Sequence, residues 1–533
     1  MTATDHLAAL AAPGCYPHAP ADVRVLQTHL SVVCLAGDLV YKLKKAVTLP
    51  FVDFAALAAR RQACRDEVRL NRRLCPDVYL GTAALRRGAD GVVRFAPVGD
   101  DDGGGGGRGL ADLDVAVVMR RLPQVRMLDE LLRAGAVSTA AIAALAAHVA
   151  DFHARCERPA AEAATASADL LARFADENFA QAQALGDDAL PARLLAALAA
   201  ASRAGFARLL PKLRARASAG HVVDGHGDLH ARNVCMTEPP AVYDCIEFEP
   251  RFRIADVAAE VAFLAMDLRY RGEPALARAF VDAYVARSSD GDLPALLPWL
   301  CSYRAMVRAK VAAIAAADAA LPAADRDGAR HSARAHLRLA ATYGCEADGQ
   351  RWLVLCGPPA SGKSTIAAAL HAATGWPVVA TDAVRKQLAG IAPQQRADAA
   401  VYTPEFTART YAAVFAEAAA ATAAGASVVV LDGNFATVDQ RREVAIAARA
   451  AGARAMVLQV DVDDATAVAR ATARAARGDA VSDADASVTA RLRAVFAPPT
   501  PAEGLPLRRC QGVHAAADTA DDTLAALLAG AGP

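Results

Sequence analysis

The stretch Arg351-Trp-Leu-Val-Leu-Cys-Gly357-Pro358-Pro-Ala-Ser361-Gly362-Lys363-Ser364-Thr365 decides the architecture of the second half of this chain. After Arg351, the residues WLVLC (352–356) form an apolar run of the kind found in buried parallel strands. A glycine-bounded loop follows, and then the helical run TIAAALHAA. The loop fits G-x-x-x-x-G-K-[ST] in its proper strand-to-helix setting. Glycines let backbone N–H groups turn inward around phosphates, a lysine neutralises the outer oxygens, and the next hydroxyl suits a magnesium ion. Gly357, Pro358, Ser361, Gly362, Lys363, Ser364 and Thr365 are therefore the expected nucleotide-binding residues, with Ser364 also a metal ligand.

Working outward, further apolar runs alternate with helical sequence: PVVAT, SVVVLD and AMVLQV. That repetition predicts a doubly wound parallel α/β sheet. Asp382, after the second run, is placed to take a proton from an acceptor hydroxyl, and Arg385 to reach a phosphate. Asp432 ends SVVVLD, where a carboxylate holds magnesium. Arg470, Arg474 and Arg477 recur at helical spacing and form one stripe. Beside a phosphate loop the stripe reads as a lid on developing charge. Residues 350–500 resemble the small P-loop kinases, among them gluconate kinase, the phage polynucleotide kinase domain and zeta-toxin-like enzymes.

The first half reads differently. Residues 23–45 alternate as strands with a turn at 36–38, and a helix is expected near 54–75. The run DDGGGGGRG (101–109) lacks a strand-to-helix setting and reads as a flexible connection. Residues 128–215 read as helical, with short strands at 221–224 and 241–248 and helices on to about 340. Between those strands lies His226-Gly227-Asp228-Leu229-His230-Ala-Arg-Asn233, with Tyr243-Asp244 beyond. If the strands pair as a hairpin, Asp228, Asn233 and Asp244 come together, a base and two hard ligands suited to magnesium and ATP.

This set resembles the aminoglycoside phosphotransferase and choline-kinase family, which has a protein-kinase-like fold. The resemblance implies Asp228 as catalytic base, Asn233 and Asp244 as magnesium ligands, His226 and His230 as braces, and Asp256 and Glu260 as a structural acidic pair. It also implies a strand lysine on the ATP phosphates, Lys42 or Lys44, and Glu67 as its helix partner. Lys42 is favoured, because VYK resembles the V-A-x-K pattern. No G-x-G-x-x-G loop precedes that strand; Thr28-His29-Leu30-Ser31 stands there. Together the two halves resemble bacterial proteins with an aminoglycoside-phosphotransferase-like domain, here 1–345, fused to a P-loop kinase domain, here 346–533.

Composition narrows the partners. With 58 basic and 58 acidic residues the formal charge is zero, so a nucleic-acid partner is not expected, although Arg441, Arg442, Arg449 and Arg454 invite a local basic groove. No run of some 18 apolar residues predicts a membrane span, and the first residues lack the basic lead of a secretory signal. Eleven scattered cysteines without C-x-x-C fit reduced cytoplasmic thiols. The expected activity is ATP- and Mg2+-dependent phosphoryl transfer to hydroxyls of small polar molecules at two sites. The alternatives are that one half binds ATP only to regulate the other, or that the C-terminal half is a nucleotide or RNA kinase.

Overall fold

The computed structural model describes residues 6–49, 52–99, 112–186, 189–347, 349–392, 395, 399–477, 491–511 and 516–529. The glycine run 101–109 lies outside them. Two compact units form, Met1–Arg173 with Leu209–Cys301, and Phe174–Arg208 with Ser302–Pro533.

In the first unit the alternating residues form an antiparallel meander of β1 (Val23–Gln27), β2 (Ser31–Ala36) and β3 (Leu39–Lys44). Its β2–β3 turn uses Gly37 at a φ of 61°, which glycine adopts without a Cβ clash. Helix α1 (Leu57–Asn71) precedes β4 (Tyr79–Arg87), β5 (Val93–Phe95) and β6 (Asp112–Arg120). The sheet order is β1-β2-β3-β6-β4-β5. The two-residue pleat of β3 sorts its side chains. Tyr41 and Leu43 join one core with Leu10, Tyr16 and Phe95. Val40 joins another, with Cys64 and Val68 of α1 and Val115 and Val117 of β6. Lys42 and Lys44 share the parity of Val40 and so face α1, where Glu67 waits.

The unit continues with α2 (Leu128–Arg133) and α3 (Thr139–Arg155), the latter capped by Ser138, whose hydroxyl accepts from Ala141 N at 3.1 Å. Helices α4 (Ala161–Ala184) and α5 (Ala192–Ser218) fill most of the stretch expected to be helical, with residues 174–184 of α4 and 192–208 of α5 belonging to the second unit. Then come β7 (Val222–Asp224), β8 (Val234–Cys235), β9 (Ala241–Val242), β10 (Ile254–Asp256), α6 (Val257–Tyr270) and α7 (Pro274–Ser288). The expected hairpin of 221–224 with 241–248 does not form. Instead β7 pairs with β10 and β8 with β9, both antiparallel. The reason is that 243–249 is not a strand: Asp244 sits at a φ of 65°, which breaks extended pairing immediately after β9.

The second unit holds α8 (Leu297–Ala317) from residue 302 on, α9 (Ala323–Glu346), and a sheet of five parallel strands. In chain order these are β11 (Arg351–Cys356), α10 (Lys363–Thr374), β12 (Val378–Ala380), α11 (Thr381–Leu388), α12 (Pro404–Ala423), β13 (Val428–Asp432), α13 (Val438–Ala450), β14 (Arg454–Asp461), α14 (Asp464–Arg477), β15 (Leu507–Gln511) and α15 (Ala516–Leu528). The order is β12-β13-β11-β14-β15, with β11 central and every residue of it buried. This is the expected doubly wound sheet, with one addition. Leu507–Gln511, interrupted by two arginines, gives no apolar signal, yet it closes an edge where such residues are tolerated.

Helix α5 is long and apolar enough by composition to cross a membrane, though 28% of its most apolar window is buried within the protein. Its Arg193 and Arg203 form ion pairs with Asp522 and Asp176 at 2.8 Å. All the cysteines are free thiols, and only Cys510 is not fully buried.

Candidate active sites

In the first unit the pleat of β3 and one turn of α1 bring Lys42 Nζ to 2.9 Å from Glu67 Oε1. The same ammonium is 2.6 Å from Asp244 Oδ1. Lys44 reaches the other oxygen of Glu67, and also Glu247. Against the upward push of burial, the two ammonium groups lower the Glu67 carboxyl to about 2. Against burial, Asp244 and Glu67 in turn hold the Lys42 ammonium well above its ordinary value.

Asp244 is clamped in its left-handed conformation from both sides. Its N–H donates to Tyr79 Oη at 3.2 Å, and the next amide, Cys245 N, donates to Asn71 Oδ1 at 2.9 Å. Strain of this kind persists only where the surroundings over-determine it. Arg73, just beyond α1, donates to the carbonyls of Asp224 and Gly225 at 2.7 and 2.6 Å. Helix α1 and the residues after it thus position the segment leading into Asp228 as well as the one that carries Asp244.

Asp228 is partly exposed. Its Oδ2 accepts from Asn233 Nδ2 at 3.1 Å and lies 3.4 Å from His230 Nε2. His226 braces the turn. Its Nε2 faces the Tyr243 carbonyl at 3.0 Å, and its Nδ1 accepts the Asp228 N–H at 3.3 Å. That pattern requires the neutral ring protonated at Nε2, and burial lowers its pKa accordingly. Beneath the turn, Glu260 Oε1 accepts both the His226 N–H and the Gly227 N–H, while Oε2 lies 2.9 Å from His153 Nε2. Gly225 has no room for a side chain there, since a Cβ would lie 2.2 Å from Glu260 Oε1. The other member of the acidic pair, Asp256, caps α6 and makes a buried two-pronged pair with Arg216 at 2.8 Å.

In the second unit the loop between β11 and α10 is equally tight. A Cβ on Gly357 would lie 2.3 Å from the Val460 carbonyl, and Ala360 and Gly362 have φ values of 63° and 104°. Lys363 Nζ donates to the carbonyls of Gly357 and Pro358, each at 2.8 Å. The Ser361 hydroxyl is buried in the loop with no hydrogen-bond partner. Strand register places Ala380, Leu355 and Asp432 level with one another at the carboxyl edge of the sheet, where open α/β sheets bind ligands. Burial pushes the Asp432 carboxyl up; a hydrogen bond from Ser364 and the charge of Lys363 oppose it. Asp382 lies in the first turn of α11, within electrostatic reach of Asp432.

Arg470 Nη1 is 3.5 Å from the Ser361 carbonyl, so the first arginine of the stripe touches the loop. The side chains of Arg474 and Arg477 lie outside the described residues. Arg385 does not face the loop: it is buried, with Nη1 on the Val401 carbonyl at 2.6 Å and its guanidinium over the Tyr402 ring at 5.0 Å. Arg441 is no part of a basic groove either. It is fully buried against Glu503, with Nη1 2.7 Å from the Phe435 carbonyl.

Magnesium suits these donors, because carboxylate, hydroxyl and amide oxygens are the hard ligands it takes. In each unit they number two: Asn233 and Asp244, and Ser364 and Asp432. Among the described residues there is no group of three or more His, Cys, Asp or Glu that could hold a metal ion. The unpartnered Ser361 hydroxyl and the Lys363 ammonium, held on the loop carbonyls, fit a loop suited to a polyphosphate.

Comparison with known proteins finds two separate family matches along the chain. The model of a phosphotransferase enzyme family matches residues 56–299, and the model of an AAA domain matches residues 353–499. An uncharacterized protein of Mycobacterium tuberculosis is 31% identical over 369 residues, 69% of this chain and 68% of that protein. One from Mycobacterium bovis matches to the same extent. Among solved structures, a choline/ethanolamine kinase family protein from Mesorhizobium loti is similar over 63% of this chain and 98% of its own, at 14% identity and a TM-score of 0.36. A gluconokinase from Sinorhizobium meliloti is similar over 34% and 91%, at 17% identity and a TM-score of 0.25.

Proposed function

This chain belongs to the family of bacterial two-domain kinases that join an aminoglycoside-phosphotransferase-like domain to a P-loop kinase domain, and on that premise we propose that both halves are ATP- and Mg2+-dependent, each transferring the γ-phosphate to a hydroxyl of a small polar molecule. We assign the halves to residues 1–345 and 346–533, and the protein to the cytoplasm, where its free thiols stay reduced. The observation that carries the reading is Lys42, fixed between Glu67 and Asp244. Lys42 is the partly exposed lysine of β3, its side chain 16% exposed, so its ammonium, held by two carboxylates, is the one within reach of a phosphate.

In the N-terminal half Lys42 binds phosphate oxygens and Glu67 orients it. Asp228 takes the proton of the acceptor hydroxyl as the hydroxyl oxygen bonds to the γ-phosphorus and the bond from that phosphorus to the bridging oxygen breaks, releasing ADP. Asn233 orients Asp228 through its side-chain nitrogen, which leaves its oxygen for the metal. In the C-terminal half Lys363 exchanges the loop carbonyls for phosphate oxygens, Asp382 receives the acceptor proton, and Arg470 and Arg474 close on the transferred group. Asn233 and Asp244 in one half, and Ser364 and Asp432 in the other, would hold magnesium, which neutralises phosphate charge when bound. Positioning and charge neutralisation supply most of the rate in such transfers.

A second reading rests on a specific feature. The β1–β2 turn at Thr28–Ser31 is closed by its own side chain, with Ser31 N donating to Thr28 Oγ1 at 2.9 Å, instead of by glycines free to cover phosphates. An N-terminal half that binds ATP and only regulates the other would tolerate this.

Calorimetric titration with magnesium and a non-hydrolysable ATP analogue should give two sites per chain, one lost in Lys42→Met and the other in Lys363→Ala. A stoichiometry of one in the wild type removes a site from the scheme. Binding of two, with all turnover lost in Lys363→Ala alone, favours the regulatory reading.

A further inference from the structure

Lys44 has no part in the transfer scheme above, yet it is the more buried of the two lysines of β3. Its side chain is 3% exposed, against 16% for Lys42, which keeps it off any nucleotide. Its ammonium donates to Glu67 Oε2 and to Glu247 Oε1. The Phe54 ring closes another side, 5.8 Å from the ammonium. Glu247 is 5% exposed and lies three residues beyond Asp244. A single buried ammonium therefore ties together strand β3, helix α1 and the segment that carries Asp244.

The consequence falls on Glu67. One of its oxygens is held by Lys42 and the other by Lys44, so the carboxylate has a single orientation. With Lys44 removed, a buried carboxylate would turn about its last torsion toward its one remaining cation, and Glu247 would be left without its partner. Among the described residues Lys42 pairs with two carboxylates, Asp244 at 2.6 Å and Glu67 at 2.9 Å. Asp244 is the one the proposed chemistry needs elsewhere. Glu67 is then what keeps Lys42 in place, and its orientation depends on the deeper pair.

We infer that Lys44 and Glu247 are a positioning pair, which fixes the Glu67 carboxylate and thereby the Lys42 ammonium while tying both to the Asp244 segment. The inference rests on the reading of Lys42 as the phosphate lysine.

The test uses the full chain carrying Lys363→Ala, so that turnover reports the N-terminal half. Lys44→Met should lower kcat for ATP about tenfold, in the range found when groups that orient a site are lost, with KM for ATP changed less than about threefold because the residue does not touch the nucleotide. Lys44→Arg should recover most of the rate, and Glu247→Gln should fall between. In the nucleotide-free protein, hydrogen exchange of residues 243–249 should quicken in Lys44→Met and Glu247→Gln. Wild-type kcat in Lys44→Met overturns the inference. So does a loss that only follows the folded fraction, with exchange of 243–249 unchanged. Failure of the underlying reading looks different: Lys42→Met would then turn over ATP like the parent, which removes the phosphate lysine and the role of the pair with it.

Discussion

Asp228→Asn, in a chain already carrying Lys363→Ala, is expected to lower ATP turnover by about 10²–10⁴-fold, the usual contribution of a positioned general base. The expectation follows from how the side chain is held. Asn233 Nδ2 fixes Oδ2 at 3.1 Å, and the backbone amide is tied to His226 at 3.3 Å. With its side chain 33% exposed, the carboxylate is open to an incoming hydroxyl. Asparagine keeps the shape and the backbone contacts but has no basic oxygen. The KM for ATP should change less than about threefold, since the assigned phosphate contacts belong to Lys42 and not to Asp228. The measurement is single-turnover kinetics with labelled ATP and a metabolite pool, read by mass for the phosphorylated product. Full turnover in this variant would assign the proton to another group. Loss of nucleotide affinity with kcat intact would make Asp228 a ligand and not a base.

The parts of this scheme that were legible in the sequence share one property: each is local. The strand-loop-helix around Lys363 and the loop from His226 to Asn233 are contiguous, so spacing alone places their side chains. Lys42 and Glu67 are implied by the family resemblance, and their pairing required only that β3 and α1 pack together. What remained hidden depends on contacts between distant segments. Asn71 and Arg73 follow Glu67 closely, but their work is done on residues more than 150 positions away, at Cys245 and at Asp224 and Gly225. Nothing in their own neighbourhood distinguishes them from the basic and polar residues of a solvated helix end. The same holds for Glu247, which looks like one of two surface glutamates in IEFEP, and for Arg441, whose partner Glu503 lies 62 residues further along the chain. Arg385 shares a helix with Asp382, and that spacing suggested a phosphate; the Val401 carbonyl and the Tyr402 ring take the guanidinium instead. The apolar alternation that predicted a strand at 241–248 was cut short by the left-handed Asp244, a conformation that propensity does not encode.

Glu260→Ala should destabilise the protein by about 3–5 kcal/mol, the cost of breaking a buried charged network from one side. The side chain is nearly fully buried, and its oxygens serve three groups: the amides of His226 and Gly227 and the ring of His153. Alanine leaves all three facing a cavity, under the turn that carries Asp228. The pH dependence gives a separate signature. Against burial, the hydrogen bond and charge of His153 lower the Glu260 carboxyl to about 2 from an ordinary 4.5. A group whose folded pKa is depressed contributes stability that is present above the unfolded value and is lost as pH falls toward the folded one. The window is therefore about pH 4.5 down to about 2, and the shift corresponds to about 3 kcal/mol across it. Glu260→Gln separates the two effects. It keeps one carbonyl oxygen for the paired amides, so it should be milder than alanine at neutral pH, yet it cannot titrate. Melting temperatures of the three proteins between pH 7 and pH 3 measure both. The wild type should lose its advantage over Glu260→Gln as the pH falls through this window. Parallel curves for the two would mean that the buried carboxylate is not ionised in the folded protein, and the turn beneath Asp228 would then be held by a neutral acid.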